Sequence, residues 1–480
     1  MDADIVILGG GASGLSAAVA AAERGGKVIL IEKSAAAGGA AKMGMGFFAV
    51  ESKYQKKQLV DLSAEDAFNF LMEYTHWQVD ARLVSRYINM SANTVDWVES
   101  MGVSFLGAFK IFPSSKQTWH IPKVEGSDSP VGGAGKHIFT AMTKRAEELG
   151  VQIRYNTVGS QILIENDHVT GVEITNETGK NEQLKCRSVI VATGGFGDNP
   201  QMIKERTGYE WGKDLHSIRV PGTSGDGLSM MWGIGAVKTG TVLELIYSAP
   251  GFGANHKTLS EIMRQPGLMV NIDGQRFINE EVMINPVFTG NAISRQKERV
   301  AFTIADDSIL ELYFAHGLDY AGKYDDDNLY EKWKSEFESY LDLGDNLFAA
   351  DTLEELCEMT GINLCNMKKT IDEYNKFSTI GDLQFFKKHK YIKPFKGGKL
   401  YASKHYPSAL GTLGGVQVND KMEVLRDCGS KIPGLYSCGT DACNIFGDSY
   451  CFHLPGNTMG FAINSGRIAG YEAVHISKNT

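Results

Sequence analysis

Gly9, Gly11 and Gly14 are spaced as G-x-G-x-x-G, and Glu32 follows eighteen residues after the last of them. That pattern serves the binding of a dinucleotide. Gly9 permits a tight turn, Gly11 lets the backbone approach a pyrophosphate, and Gly14 lets a helix lie against a strand with its N-terminus facing the phosphates. Glu32 takes a ribose hydroxyl. The glycines have this meaning only if the right elements surround them. Residues 4–8 are an apolar strand, residues after Gly11 an alanine-rich helix, and residues 27–31 a second strand ending at Glu32. Ala12 and Ser13 within the turn, and Lys33 and Ser34 after the acid, therefore join the expected cofactor contacts.

Composition narrows the class of protein. A chain of 480 residues, 43 % hydrophobic, can bury a large core in two or three domains. The net charge of -9 arises from mixed signs without a basic run, which argues against nucleic acid or an anionic membrane as partner. The chain enters a strand directly and holds no apolar run long enough to span a bilayer, so a cytoplasmic location without membrane insertion is expected. The cysteines form no CxxC pair, and the spacing of Cys438, Cys443 and Cys451 fits no common zinc or iron-sulfur pattern, so no metal is expected.

Further segments extend the nucleotide site. Gly38, Gly39, Ala40, Lys42, Gly44 and Gly46 continue the loop after Glu32. Residues 189–195 form a buried strand ending in Ala192, Thr193, Gly194 and Gly195, a run of small residues suited to pass beneath an adenosine diphosphate. Asp226 opens another helix, and Gly439, Thr440 and Asp441 end a strand near the C-terminus. Gly456, Asn457, Thr458 and Gly460 begin a last helix whose backbone N–H groups face an anionic ring oxygen.

Together these segments resemble the flavoprotein family of fumarate reductases, succinate dehydrogenase flavoprotein subunits and 3-ketosteroid Δ1-dehydrogenases. The resemblance spans nearly the whole chain. It includes residues 81–102, the glycine turn at residues 132–135, and the "GxRFxNE" turn at residues 274–280. It implies FAD as the cofactor and adds Val158 to its contacts. It also implies a non-covalent flavin, because members that tether FAD use a histidine where this chain has Ala40, Ala41, Lys42 and Met43. The fold class is α/β: a Rossmann-like, discontinuous FAD domain (residues 1–246 and 412–480) with an inserted α+β capping domain (residues 247–411). Residues 325–343 and 352–377 read as helices of the insert, and the glycines near residues 250–253 and 408–411 as its hinges. With no second fingerprint for NAD(P)H, the electrons come from or go to an external partner: a reductase, reduced flavin or ferredoxin.

Carrying the family's reaction over residue by residue exposes a gap. In the fumarate-reducing branch, hydride leaves flavin N5 while an arginine four residues past the glutamate of "RFxNE" delivers a proton; here that position is Ile284. The dicarboxylate clamp of that branch falls on Ala249, Gly411 and His453, of which the first two carry no charge. Two carboxylates moved out of water there would lack cationic partners. Glu261 and Arg264 match the family's "TExxR" proton relay and stand as candidates for a relay or a structural ion pair. Tyr450, His453 and Tyr406, with Arg295 further off, are candidates for the terminal donor. His120, after Trp119, reads equally as a site or a surface-loop residue. Tyr247, Phe252, Phe288, Tyr406, Tyr450 and Phe452 point to a larger, less charged substrate. The expected activity is hydride exchange with a carbon-carbon bond conjugated to a carbonyl, in an aryl enoate, cyclic enone or steroid-like ketone. A flavin oxidase and a non-catalytic flavin-binding subunit are the alternatives.

Overall fold

The computed structural model describes residues 1–126, 133–217, 220–249, 257–320, 328–341 and 346–479. The chain divides into two compact units. The first is Met1–Gly208, Arg219–Glu244 and Gly411–Thr480, and the second is Tyr209–Ile218 and Leu245–Leu410. The second unit thus begins close to the expected insert but also takes in a short segment read from sequence as part of the first domain. The cause is a strand, His216–Ser217, that pairs in parallel with Ser408 and Ala409. The pairing lies within Pro407–Leu413, so the expected glycine hinge at residues 408–411 is extended strand. The other expected hinge, residues 250–253 with Phe252, lies outside the described residues.

The first unit is built on a six-stranded sheet in the order Glu423–Leu425, Lys431–Ser437, Ser188–Val191, Ile5–Leu8, Val28–Ile31, Gln152–Arg154. Ile5–Leu8, Val28–Ile31 and Ser188–Val191 are buried along their whole length, as the runs of apolar residues require of parallel strands covered on both faces. The helix Ala12–Ala22 covers this sheet, and the long helix Asn457–Asn479 lies on it in parallel. That approach depends on glycine. A Cβ at Gly466 would sit 2.2 Å from the Ser13 carbonyl oxygen, and one at Gly470 2.4 Å from that of Ala17. The expected helix at residues 81–102 is Ala81–Glu99, capped by the Asp80 carboxylate. Of the glycine turn at 132–135, Gly132 lies outside the described residues, and Gly133 adopts a left-handed φ of 73° before the helix Ala134–Glu148.

The second unit has an antiparallel sheet in the order Leu268–Asn271, Ala301–Asp306, Leu400–His405, Leu347–Ala350. Leu268, Val270, Phe302, Ile304 and Ala402 meet Met367 and Tyr374 in its core. Residues 352–377 form two helices, Leu353–Thr360 and Leu364–Ile380, because Gly361 turns left-handed at φ 75° between them. Of residues 325–343, the described part is helical from Leu329 to Leu341. The "GxRFxNE" turn is an ionic knot. Arg276 binds Glu280 at 2.7 Å and Asp382 at 2.9 Å, and Lys387 stands 3.4 Å from Glu280, with all four side chains almost fully buried.

Candidate active site

The fingerprint glycines divide three roles among them. Gly9 turns at φ 102°, and a Cβ there would lie 2.3 Å from the Ala192 oxygen. At Gly14 it would lie 1.8 Å from the Gly9 oxygen. At Gly11 a Cβ would meet nothing within 4 Å, so open space lies over the backbone where the helix Ala12–Ala22 begins. The first amides of that helix have no partner within it, so they could take a phosphate group there. Glu32, at the end of its strand, is buried and accepts Gly10 N–H and Ser34 N–H at 2.7 Å each. A carboxylate has about four acceptor sites, so two remain for ribose hydroxyls.

The neighbouring loops are tied to this core by side chains. Lys33 bonds both Ser224 and Asp226 at 2.8 Å, which fixes the second strand's end to the helix Asp226–Gly233. Asp441 is fully buried and accepts the amides of Thr193, Gly194 and Gly195 and the Thr193 hydroxyl. Burial pushes its carboxyl up, against these bonds that favour the ionised form. Asp441 thus holds the Ala192–Gly195 turn, and Gly439 and Thr440 lie in the short helical turn that carries it. Gly38 has φ 110° and Gly39 φ 50°, and the turn Gly39–Met43 that follows holds Ala40 and Lys42. Gly44 takes Gly135 N–H on its carbonyl at 2.8 Å, Gly46 packs on the His120 backbone, and Val158 opens an edge strand, 41 % exposed.

The N-terminus of Asn457–Asn479 is a second polar centre of the first unit. Gly456 and Gly460 pack so closely on Phe47 and Phe48 that a Cβ at either would lie within 3 Å. Asn457 accepts the Tyr87 hydroxyl at 2.8 Å. Thr458 donates to Glu244 Oε1 at 2.9 Å. Burial raises the Glu244 carboxyl to about 7. Tyr450 hydrogen-bonds Thr458, and burial followed by the nearby Glu244 charge pushes its phenol well above the usual range. His453 is half-buried between Phe70, Tyr74 and Phe112, and burial lowers its pKa. His120 is no surface residue: it is fully buried in a strand, bonded to Ser52 Oγ at 2.6 Å and the Thr118 carbonyl at 2.9 Å, and burial lowers its pKa to about 4.

In the second unit, Glu261 lies in the short helix Lys257–Met263, Arg264 follows that helix directly, and the Arg264 guanidinium stands 4.7 Å from the Tyr247 ring centre. The Tyr247 phenol also donates to the Met283 carbonyl at 3.3 Å, next to Ile284. Burial raises the Tyr247 pKa, while Arg264 draws it down. His405 packs on Tyr247 at 5.4 Å and is bonded at both ring nitrogens, to Thr303 and the Ser248 carbonyl. Burial takes it to about 4, so it is neutral. Tyr406 instead packs against His216, with the rings tilted and 4.5 Å between their centres. Arg295 is exposed at the end of the helix Pro286–Ser294.

The family profile described as FAD binding domain matches residues 4–458. The vinyl phenol reductase of Lactiplantibacillus plantarum is 31% identical over 443 residues, covering 89% of this chain and 87% of that protein. The chain belongs to this FAD-binding family. The 3-oxosteroid 1-dehydrogenase of Mycolicibacterium smegmatis is 27% identical, covering 74% of this chain and 64% of its own. The open conformation of a flavocytochrome c3 fumarate reductase superposes with a TM-score of 0.72 at 25% identity, over 99% of this chain and 78% of that one. The protein is therefore a member of an FAD-dependent oxidoreductase family, with the α/β architecture of its relatives. No helix among the described residues is long and apolar enough to cross a membrane.

Within this FAD-binding family member, sequence reading passed over two residues. Tyr247 counted only as one aromatic among several, although it stands between Arg264 and the carbonyl that precedes Ile284. Glu244 was not singled out at all. Its signal was there: one acid inside the apolar strand Val242–Tyr247.

Proposed function

We propose that the protein reduces a carbon-carbon double bond conjugated to a carbonyl or an aromatic ring, in a substrate larger and less charged than fumarate. The observation that carries this reading is the set Ile284, Ala249 and Gly411, which stand where the resemblance puts the proton-delivering arginine and two members of the dicarboxylate clamp. Burying two carboxylates without cations is strongly unfavourable, whereas an aryl or alicyclic body loses nothing by leaving water. The similarity to a vinyl phenol reductase supports an aryl-conjugated alkene. The Gly9–Gly14 turn and Glu32 would hold FAD, which when bound would supply the hydride.

In this reading the proton comes from the chain. Burial keeps the Tyr247 phenol protonated until it is needed, and Arg264 beside it favours the phenolate left after transfer. Glu261, three residues before Arg264 and close enough to act on Tyr247, then relays a proton back to the phenolate while Arg264 stays charged. Tyr450 serves differently, since its bond to Thr458 orders the start of the helix Asn457–Asn479. Cofactor attachment is non-covalent, and electrons reach the flavin from a separate carrier in the cytoplasm.

The test is to reduce the protein without oxygen and add fumarate, an aryl enoate, a vinyl phenol, a cyclic enone and a 3-ketosteroid in turn while following flavin absorbance. Reoxidation by an aryl or cyclic compound and not by fumarate is expected; rapid reoxidation by fumarate would overturn the proposal. Tyr247→Phe should slow that reoxidation by about 10²- to 10⁴-fold without slowing flavin reduction. An unchanged rate would remove Tyr247 from the proton route.

A further inference from the structure

Glu244 is a buried carboxyl with an unusual set of neighbours. Its side chain is 7 % exposed, and it accepts the Thr458 hydroxyl. Buried carboxylates are ordinarily paired with a cation. The ionisable groups that face Glu244 are the Tyr450 phenol and the Cys443 thiol, and burial keeps both in their neutral forms. Among the described residues no lysine, arginine or histidine acts on it. The group therefore exchanges a proton near neutral pH.

Its place relative to the FAD site follows from helix packing. Gly466 lies on Ser13 and Gly470 on Ala17, so the helices Ala12–Ala22 and Asn457–Asn479 run parallel. Asn457 precedes Gly466 by nine residues and Ala12 precedes Ser13 by one. At 1.5 Å per residue the longer helix projects about 12 Å beyond the N-terminus of the shorter one. The pyrophosphate would be held at that shorter N-terminus, with Glu32 taking the ribose. The projecting turn, with Thr458 and Glu244, therefore lies beyond the pyrophosphate end of the shorter helix, and the family resemblance turns the backbone N–H groups of that same turn towards the flavin ring.

We propose that Glu244 takes up a proton when the flavin is reduced and gives it back when the flavin is reoxidised. Two electrons from an external reductant and one proton convert FAD to its anionic reduced form. A second proton, from solvent, converts the Glu244 carboxylate to the acid. The added negative charge on the ring is thereby offset by loss of the negative charge on the side chain. This holds whichever alkene is the substrate.

The experiment is a potentiometric titration of the holoprotein against dithionite with an indicator dye, between pH 7 and 9. For a two-electron couple each proton taken up adds about 30 mV per pH unit to the slope. The wild-type slope should exceed that of Glu244→Gln by this amount, and parallel lines would overturn the proposal. If Glu244→Gln fails to retain FAD, the wild type alone decides. In weak buffer at pH 8, reduction at an electrode, which supplies electrons without releasing protons, should consume two protons per flavin, and uptake of one would refute a role for Glu244.

Discussion

The Arg276 knot offers a quantitative test of what the "RFxNE" turn is for. Arg276→Met keeps the length and most of the apolar volume of the side chain but removes a guanidinium that is 1 % exposed. Glu280 loses bonds of 2.9 and 2.7 Å, Asp382 loses bonds of 3.2 and 2.9 Å, and both carboxylates are left buried with Lys387 as the remaining cation. Breaking a buried pair from one side costs about 3 to 5 kcal/mol. Asp382 gives an independent figure. Its carboxyl is held at about 2 instead of 3.8, against the burial that opposes ionisation, chiefly through its bonds to Arg276 and to the backbone amides of residues 384 and 385. That difference is worth roughly 2 kcal/mol at 1.36 kcal/mol per unit. A depressed carboxyl contributes stability that is present above pH 4 and lost as pH falls towards 2. The variant should therefore unfold at markedly lower urea than the wild type at pH 7, and the gap should narrow in acid as Asp382 protonates in both. Far-UV circular dichroism would follow unfolding, and flavin fluorescence would follow release of FAD from the first unit. A variant as stable as the wild type, with FAD bound but reoxidation by substrate slowed more than about 100-fold, would refute the structural reading and put Arg276 in the chemistry.

Three further tests concern the cofactor. Gly14→Val should yield colourless apoprotein, because a Cβ 1.8 Å from the Gly9 oxygen forces the helix off the strand; a yellow variant with full FAD content would contradict that packing. Gly11→Val should leave the fold intact, since its side chain enters open space, yet lose FAD by filling the pyrophosphate's place; retained FAD would move the phosphates elsewhere. Acid precipitation should leave the flavin in the supernatant, and colour in the pellet would show a covalent bond.

What could be read from the sequence was what is local. The turn from Gly9 to Gly14 and the acid at Glu32 belong to one strand-helix-strand unit, so spacing alone carried their geometry. Contacts between distant segments were not legible. Arg276 meets Asp382 across 106 residues, and nothing in "GQRFINE" names that partner. The strand His216–Ser217 was too short to show a period, and its pairing with Ser408 and Ala409 draws residues 209–218 into the second unit. The break at Gly361 was missed because the apolar pattern continues across it; a glycine after Thr360 was the available sign.

Tyr247 and its neighbours also show why loss of an arginine need not mean loss of activity. An arginine at position 284 would offer a permanent charge that suits a dicarboxylate. Tyr247 is buried and protonated, and the Arg264 cation at its ring steadies the phenolate as the phenol gives up its proton. Such a donor presents a neutral hydroxyl to an uncharged substrate and leaves the cation behind the phenol ring. Proton delivery would then survive the change from arginine to isoleucine while dicarboxylate binding would not. Ile284→Arg tests this directly. With Ala249 and Gly411 unchanged it should confer little fumarate reduction, because a donor has been added without a clamp. Strong fumarate reduction by that variant would show that the clamp residues are unimportant and that substrate preference rests on position 284 alone.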